Sequence, residues 1–359
     1  MKIKVILLLL LLQGGLKAKV TTSPDTVLNI SRIEDVSFTS GSFQITGSLY
    51  IPDLKRERYP VLIWVSGSGP SFRKVKQKET IKLINCILDR GFAYFRIDKP
   101  GYGDSRGNVN DDSLFARLSD VVVEAGKKLS GHPSVDRSAI GLFGSSQAGY
   151  IMPLAISKSK DISFMIGSSC PGENSIEQWN YLLEKQMICE GISPERAANN
   201  IEMFSTLRNT TDKDSFDMAI SYFKRNPLIV RSLGYDSSFY KKAESWWPRI
   251  INEKDESHFN PISIMENIRI PVFLVYGKND KQIDPLQAMQ AYKNAFAGSG
   301  NRHYRIEMLN NSDHNMSLSS GCLSEISELN KAGSYSYDPE YLKLISSWLD
   351  EWYFIDSHK

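Results

Sequence analysis

Short, uninterrupted apolar runs recur along the chain, and each ends in glycine, serine or aspartate. The pattern is carried by PVLIWVSGSGP, FAYFRIDKPGYG, AIGLFGSS, ISFMIGSS and IPVFLVYGKND. Runs of this kind are typical of strands that are buried on both faces of a parallel sheet. The stretches between them, such as KETIKLINCILDRG, have helical periodicity. The alternation predicts an α/β fold with a mostly parallel central sheet and helices on both faces.

Two segments depart from this alternation. Near the N-terminus, VSFTSGSFQITGSLYIP breaks an alternating pattern at Ser-Gly, which predicts an antiparallel hairpin. Residues 171–245 instead contain successive helical patterns, one of which begins with Ser193 as N-cap and Pro194 in the first turn. We therefore expect residues 171–245, here named the helical cap, to be inserted into a core formed by residues 19–170 and 246–359. Such insertions commonly border the ligand crevice, although a helical decoration without a role in the site is the alternative.

The first residues, MKIKVILLLLLLQGGLKAKV, have the layout of a signal peptide. Lys2 and Lys4 precede an apolar run, and small residues follow it at a plausible cleavage site. The run is shorter than the roughly 20 residues that a membrane-spanning helix needs. We therefore expect a signal peptide over residues 1–18, export to the periplasm or the medium, and no stable membrane insertion after cleavage.

Composition excludes several classes of function. The 359 residues carry a formal net charge of +2, with acidic and basic residues spread along the chain, so nucleic acid is not an expected partner. The four cysteines lack the CxxC spacing of zinc sites and thioredoxin-like motifs. Export permits disulfides, but the sequence leaves their pairing open, as it leaves the oligomeric state open. The cysteines are Cys86, Cys170, Cys189 and Cys322.

The stretch GLFGSSQAGY places Ser146 at a candidate turn between a strand and a helix. It matches the pattern GxSxG, with Ser145 as its variable residue and Ala148 in place of the second glycine. A nucleophile at such a turn needs small neighbours, because its strained backbone projects the hydroxyl above the sheet while the helix packs closely behind. Ser146 is therefore the candidate nucleophile.

A serine nucleophile needs a base, and the base needs an orienting acid. His314 follows the last strand pattern in NSDHNMS, and Asp280 follows the strand in VFLVYGKNDKQID. Asp284 is the rival acid, but it precedes Pro285 and is suited to cap the next helix. The resulting chain order is serine, aspartate, histidine. The other histidines lie in a turn, a loop, a strand pattern and the C-terminus: His132, His258, His303 and His358.

The developing oxyanion needs backbone donors. SGSGP follows a buried strand, and we expect the N–H groups of Ser68 and Gln147 to supply these donors. The glycine-rich stretch lacks the lysine and the spacing of a phosphate-binding loop. No metal or cofactor is required by this chemistry.

Over residues 36–353, the motifs SGSGP, RIDKPGYGDSRG, GSSQAGYIMP, YGKND and SDHN resemble those of α/β-hydrolases. The chain is most similar to exported bacterial serine esterases and acylhydrolases related to the prolyl-oligopeptidase and proline-iminopeptidase groups. The resemblance implies the α/β-hydrolase fold, with Ser146 as nucleophile, Asp280 as acid and His314 as base. It also implies oxyanion donors at Ser68 and Gln147. The segment DKPGYGDSRG is usually structural in these enzymes, so no chemistry is assigned to Asp98, Tyr102 or Ser105.

The sequence favours a hydrolase that cleaves carboxylic esters through an acyl-enzyme. An aminopeptidase or dipeptidyl-peptidase is the alternative, since fold and triad do not distinguish ester from amide. The expected substrate is thus a small ester or a short peptide. A non-catalytic binding protein is a third hypothesis, but it predicts a broken triad. A peptidase would bind a substrate amine with carboxylates near the entrance of the cap, for which Glu173, Glu177 and Glu184 are candidates. The tryptophans in and directly after the cap either line a pocket or form core; they are Trp179, Trp246 and Trp247.

Overall fold

The computed structural model describes residues 27–108, 114–232, 238–251 and 256–356. The predicted signal peptide, residues 1–18, lies outside the described residues. None of the described helices has a stretch of the length and apolar character that a bilayer crossing requires.

An eight-stranded sheet organises the chain, with strand order β1-β2-β4-β3-β5-β6-β7-β8. The predicted N-terminal hairpin is confirmed, because β1 pairs antiparallel with β2, and β2 pairs antiparallel with β4. Every other pairing is parallel, as the apolar runs predict. The strands are β1 (Ile30–Ser40), β2 (Phe43–Pro52), β3 (Tyr59–Val65), β4 (Ala93–Ile97), β5 (Val135–Ser145), β6 (Ile162–Ser168), β7 (Val272–Gly277) and β8 (Tyr304–Leu309).

Helices connect the strands and cover the sheet. Those that follow β3, β4 and β5 are α1 (Lys78–Leu88), α2 (Leu114–Ser130) and α3 (Ala148–Lys158). Those between β6 and β7 are α4 (Ser175–Cys189), α5 (Pro194–Asn209), α6 (Lys213–Arg225), α7 (Pro227–Ser232), α8 (Phe239–Glu244), α9 (Trp247–Ile251) and α10 (Ile262–Met265). The remaining helices are α11 (Pro285–Ser299), α12 (Leu323–Lys331) and α13 (Pro339–Asp356).

The parallel strands bury side chains on both faces, because successive residues of a strand point to opposite sides. In β5, Leu142 packs in the cluster that includes α2, α3 and α11, whereas Phe143 packs in the cluster that includes α1 and α13. Phe273 and Leu274 divide in the same way in β7. This two-sided burial explains why the central strands read as continuous apolar runs and why their carboxyl ends are free to carry polar residues.

The helices between β6 and β7 have an apolar cluster of their own. Trp246 is buried there and its ring contacts those of Phe204 and Phe239. Trp247 packs against Phe216, while Trp179 on α4 is 43% exposed. Trp246 and Trp247 therefore contribute to packing within these helices. The boundaries of the helical cap, residues 171–245, stay a prediction.

Helix α4 is tied to two loops at the carboxyl edge of the sheet. Tyr181 donates a hydrogen bond to the carbonyl oxygen of Asp280 (3.0 Å), and Gln178 donates one to the carbonyl oxygen of Gln282 (2.7 Å). A disulfide joins Cys189, the last residue of α4, to Cys322 before α12. The sequence alone leaves the disulfide pairing open. In the structure, Cys86 and Cys170 are free thiols.

Replacing both Cys189 and Cys322 by serine is expected to lower the free energy of unfolding by about 2–5 kcal/mol. The disulfide closes a loop with a sequence separation of 133 residues, and opening it returns conformational freedom to the unfolded chain. Urea unfolding of the oxidised wild type and the double variant measures the difference. A reducing agent should destabilise the wild type and leave the double variant unchanged. Equal stability of the oxidised wild type and the variant would contradict the expected contribution.

Candidate active site

Ser146 lies at a sharp turn between the end of β5 and the start of α3. Its φ angle is +57°, a left-handed conformation that is uncommon outside glycine. The backbone N–H of Ser146 donates to the carbonyl oxygen of Ser168 on β6 (3.0 Å), and its own carbonyl accepts from Gly149 (2.8 Å). The strained conformation is therefore held on both sides, as expected where a turn presents a functional side chain.

The small residues around Ser146 have a packing reason. A Cβ atom added to Gly144 would lie 2.5 Å from the Cβ of Ala148 and 2.7 Å from the carbonyl oxygen of Val65. A Cβ at Gly149 would lie 2.7 Å from the ring of Pro171. Helix α3 thus packs against the sheet at a distance that only these small residues permit. Ala148 departs from the GxSxG pattern without harm, since its methyl group occupies the space that Gly144 leaves.

Asp280 and His314 form a buried pair. The Nδ1 atom of His314 lies 2.8 Å from Oδ2 of Asp280, which is fully buried. The other carboxylate oxygen accepts hydrogen bonds from the N–H groups of Gln282 (2.7 Å) and Ile283 (2.9 Å). Asp284, the rival acid, caps α11 by accepting from Leu286 and Gln287. The structure therefore places Asp280, and not Asp284, against the histidine.

The loop that carries His314 is fixed by hydrogen bonds of its own. Asp313 accepts from the N–H groups of Asn315 (2.8 Å) and Ser317 (3.0 Å). The Ser169 hydroxyl donates to the carbonyl oxygen of His314 (3.0 Å) from the neighbouring end of β6. These contacts set the backbone of His314, while Asp280 orients its ring.

Burial by itself lowers the pKa of His314, but the attraction of Asp280 and its hydrogen bond outweigh burial, so the pKa is raised above its ordinary value of about 6.5. A histidine that acts as a base must be neutral, so activity is present above this pKa and is lost as pH falls through it. We expect the acidic limb of the kcat/KM profile to have its midpoint above pH 6.5. Initial rates between pH 5 and pH 9 measure it, on a substrate whose own ionisation lies outside that range. A midpoint below 6.5 would contradict the raised pKa of His314 and mean that burial outweighs the attraction of Asp280.

A cavity of about 280 Å³ opens beside Ser146 and His314. Helix α1, the loop after β3 and the segment after His314 enclose it. Apart from His314, none of the described side chains that line it belongs to a type that changes its charge near neutral pH. The apolar and aromatic lining residues are Trp64, Leu83, Met316, Tyr335, Tyr337 and Tyr341.

The three tyrosines of this cavity all lie in the segment GSYSYDPEYL, which sequence reasoning did not single out. The one available signal was the density of tyrosine in a stretch rich in glycine, serine and proline. The tryptophans that the sequence offers as pocket candidates, Trp179, Trp246 and Trp247, do not line the cavity.

The expected oxyanion donors come from two segments: Ser68 lies in the loop after β3, and Gln147 directly follows the nucleophile. Ser68 is exposed and lines the cavity, and Gln147 directly precedes α3. Gln147 is not among the cavity-lining residues. Within the described part of the chain, neither backbone N–H donates a hydrogen bond to another protein group. Both donors therefore remain available to a substrate oxygen.

The carboxylates that a peptidase would use do not line the cavity. Glu173 is buried, and burial, reinforced by repulsion from Asp284 and Glu177, raises its pKa to about 8. Glu184 forms an ion pair with Lys185. The described residues also contain no group of three or more histidine, cysteine, aspartate or glutamate side chains arranged to hold a metal ion.

No protein-family model matches the sequence, and no curated protein matches it significantly. Among solved structures, DcsB in complex with its substrate analogue has a TM-score of 0.51 and 15% identity, covering 89% of this chain and 99% of that one. The Pyrococcus furiosus esterase Pf2001 has a TM-score of 0.50 and 14% identity, covering 89% and 91%. An acylaminoacyl peptidase of Pyrococcus horikoshii has a TM-score of 0.49 and 14% identity over 79% of this chain; the chain spans only 38% of that peptidase. The sheet order, the helical layers and the similarity to DcsB and to the Pf2001 esterase together show that the chain has the α/β-hydrolase fold.

Proposed function

We propose that the protein is a serine hydrolase that cleaves carboxylic esters. The observation that carries the proposal is the convergence of Ser146, at a strained turn, and the His314–Asp280 pair on one cavity. A serine hydroxyl is a weak nucleophile without a base, and a histidine held by a buried carboxylate is the base that this chemistry uses.

The mechanism has two steps. The Nε2 atom of His314 takes the proton from Ser146 as its Oγ attacks the ester carbonyl, while Asp280 holds Nδ1–H and stabilises the imidazolium. The N–H groups of Ser68 and Gln147 bind the oxyanion. His314 then gives the proton to the leaving alcohol. Water repeats the sequence on the acyl-enzyme and releases the acid and free Ser146.

The neutral character of the cavity favours an ester over a peptide with a free amino terminus. Such a peptide carries an ammonium group, which needs a carboxylate partner when it leaves water. Among the residues that the structure describes, no carboxylate lines the cavity. Glu173 is also a poor partner, because a carboxyl group with a pKa of about 8 is mostly uncharged at neutral pH. An uncharged acyl group suits the tyrosines and Trp64 instead.

Export to the periplasm or the medium belongs to the same proposal. The N-terminal pattern predicts a signal peptide. The Cys189–Cys322 disulfide supports it, because disulfides form and persist in oxidising compartments.

The test is a comparison of p-nitrophenyl esters of increasing acyl length with aminoacyl and prolyl p-nitroanilides, using residues 19–359. Turnover of short-chain or aryl esters without turnover of the anilides supports the esterase. Comparable or faster anilide cleavage would replace it by the peptidase alternative. Labelling by a fluorophosphonate, followed by peptide mapping, shows whether the reactive serine is Ser146. Absence of both turnover and labelling would overturn the serine hydrolase.

A further inference from the structure

Lys99 is a buried lysine beside the two expected oxyanion donors. It lies in the turn after β4 and is 5% exposed. Its Nζ atom donates to the carbonyl oxygen of Gly67 (2.9 Å) and to the side-chain oxygen of Gln147 (3.3 Å). One ammonium group therefore joins the loop after β3 to the turn that carries Ser146.

The contact with Gly67 acts on the peptide that contains the first donor. The carbonyl of Gly67 and the N–H of Ser68 belong to the same peptide group, and in a trans peptide these two bonds point in opposite directions. The described residues contain no cis peptide. A carbonyl held by Lys99 on one side thus directs the N–H of Ser68 to the other side. A cationic donor on the carbonyl also polarises the amide and strengthens its N–H as a donor.

The contact with Gln147 restrains the residue that holds the second donor. Gln147 is the N-cap residue of α3 and has helical backbone angles (φ −48°, ψ −25°), so its N–H lies beside the free amide groups at the start of that helix. The side chain of Gln147 has Lys99 as its partner. The same ammonium therefore restrains the residues of both donors.

The charge of Lys99 is not neutralised by an ion pair. Among the described residues, no carboxylate forms a salt bridge with Nζ, and burial alone lowers its pKa to about 8. A buried ammonium without a carboxylate is costly and needs a compensating role. At neutral pH the group is still mostly charged, so it adds a positive potential where an oxyanion would form.

The turn that holds Lys99 is itself rigidly docked on the loop after β3. The backbone N–H of Lys99 donates to the carbonyl oxygen of Ser71 (3.0 Å). Asp98 accepts from the backbone N–H of Arg73 (2.7 Å) and forms a buried ion pair with its side chain (3.2 Å). The backbone from which the Lys99 side chain extends is therefore held by several contacts that do not involve that side chain.

We propose that Lys99 is a positioning residue that orients the Gly67–Ser68 peptide and Gln147, so that both backbone N–H groups face the oxyanion. The proposal rests on the proposed function, since it assigns a role within the same site. Lys99 does not line the cavity, and it acts on the reaction through the two donors.

The test is Lys99→Met, which keeps the length of the side chain and removes its charge and donors. We expect kcat per active site to fall about 10²-fold, near the loss caused by removing one oxyanion donor, while KM changes little. Affinity for a boronic acid that mimics the tetrahedral intermediate should fall by a similar factor. Active sites are counted from the final extent of fluorophosphonate labelling, so unfolded protein does not enter kcat.

Lys158→Met is the control, because Lys158 also binds a carbonyl and a hydroxyl oxygen but forms an ion pair with Asp120 and lies at the far end of α3. It should keep the wild-type kcat and boronic acid affinity. Gln147→Leu provides a second variant that leaves the buried ammonium in place, and it should reduce boronic acid affinity less than Lys99→Met does.

A merely structural role would lower the melting temperature of Lys99→Met but leave its titrated kcat and boronic acid affinity unchanged. That result, or a rise in KM without a change in kcat, would overturn the proposal. If wild-type protein shows neither ester turnover nor labelling at Ser146, the proposed function fails first and the role of Lys99 falls with it. If the wild type hydrolyses esters and Lys99→Met keeps the wild-type kcat and boronic acid affinity, only the positioning role of Lys99 is rejected.

Discussion

Replacing Ser146 by alanine is expected to lower kcat for ester hydrolysis by about 10⁵- to 10⁶-fold. The variant keeps the cavity, the free N–H groups of Ser68 and Gln147 and the His314–Asp280 pair, but it lacks the atom that forms the acyl-enzyme. The residual rate should come from binding and oxyanion stabilisation alone. Steady-state rates and the loss of fluorophosphonate labelling measure the effect.

The neighbouring serine gives a control for this experiment. Ser145 ends β5, next to the nucleophile, and it occupies the variable position of the motif. Ser145→Ala should keep most of kcat and should still be labelled. His314→Ala should lose as much activity as Ser146→Ala, and combining the two should cost little more, because the two groups act as a unit. Retention of more than about a hundredth of kcat in Ser146→Ala would exclude it as the nucleophile.

The features that could be predicted from the sequence are those with a local cause. Burial on both faces makes the parallel strands continuous apolar runs, and the close packing of α3 confines positions 144 and 148 to small residues. These signals lie within a few residues of the elements that they specify. The order of the strands then brings the loops with Asp280 and His314 to one edge of the sheet.

The features that could not be predicted depend on contacts between distant parts of the chain. The cavity tyrosines follow His314 by 21 to 27 residues but line the same cavity as Leu83 of α1 and Trp64 of β3, and no periodicity marks them. The Cys189–Cys322 pairing depends on how α4 packs against the loop before α12. Lys99 lies in a segment that the resemblance to α/β-hydrolases marks as structural. Its partners are a carbonyl oxygen and an amide side chain. Neither partner leaves a signature in the sequence.

The second large effect concerns the acid. Asparagine at position 280 can keep the hydrogen bonds that Oδ1 accepts from the N–H groups of Gln282 and Ile283. Its other group is then an amide NH₂, which faces Nδ1 of His314 in the place where the carboxylate oxygen of Asp280 accepts a hydrogen bond in the wild type. To accept from this NH₂, His314 must carry its proton on Nε2. A histidine in that tautomer cannot take the proton of Ser146.

Asp280→Asn is therefore expected to lower kcat by about 10⁴-fold with the fold intact. Because the attraction of Asp280 raises the pKa of His314 against the effect of burial, removing its charge should move the acidic limb of kcat/KM to lower pH. Asp284→Asn is the matched control: asparagine is also a good N-cap, so α11 and activity should both persist. Rates across pH 5 to 9, with thermal unfolding of each variant, separate the two aspartates. Equal losses at both positions, or an acidic limb that moves upward in Asp280→Asn, would mean that His314 takes its orientation from elsewhere.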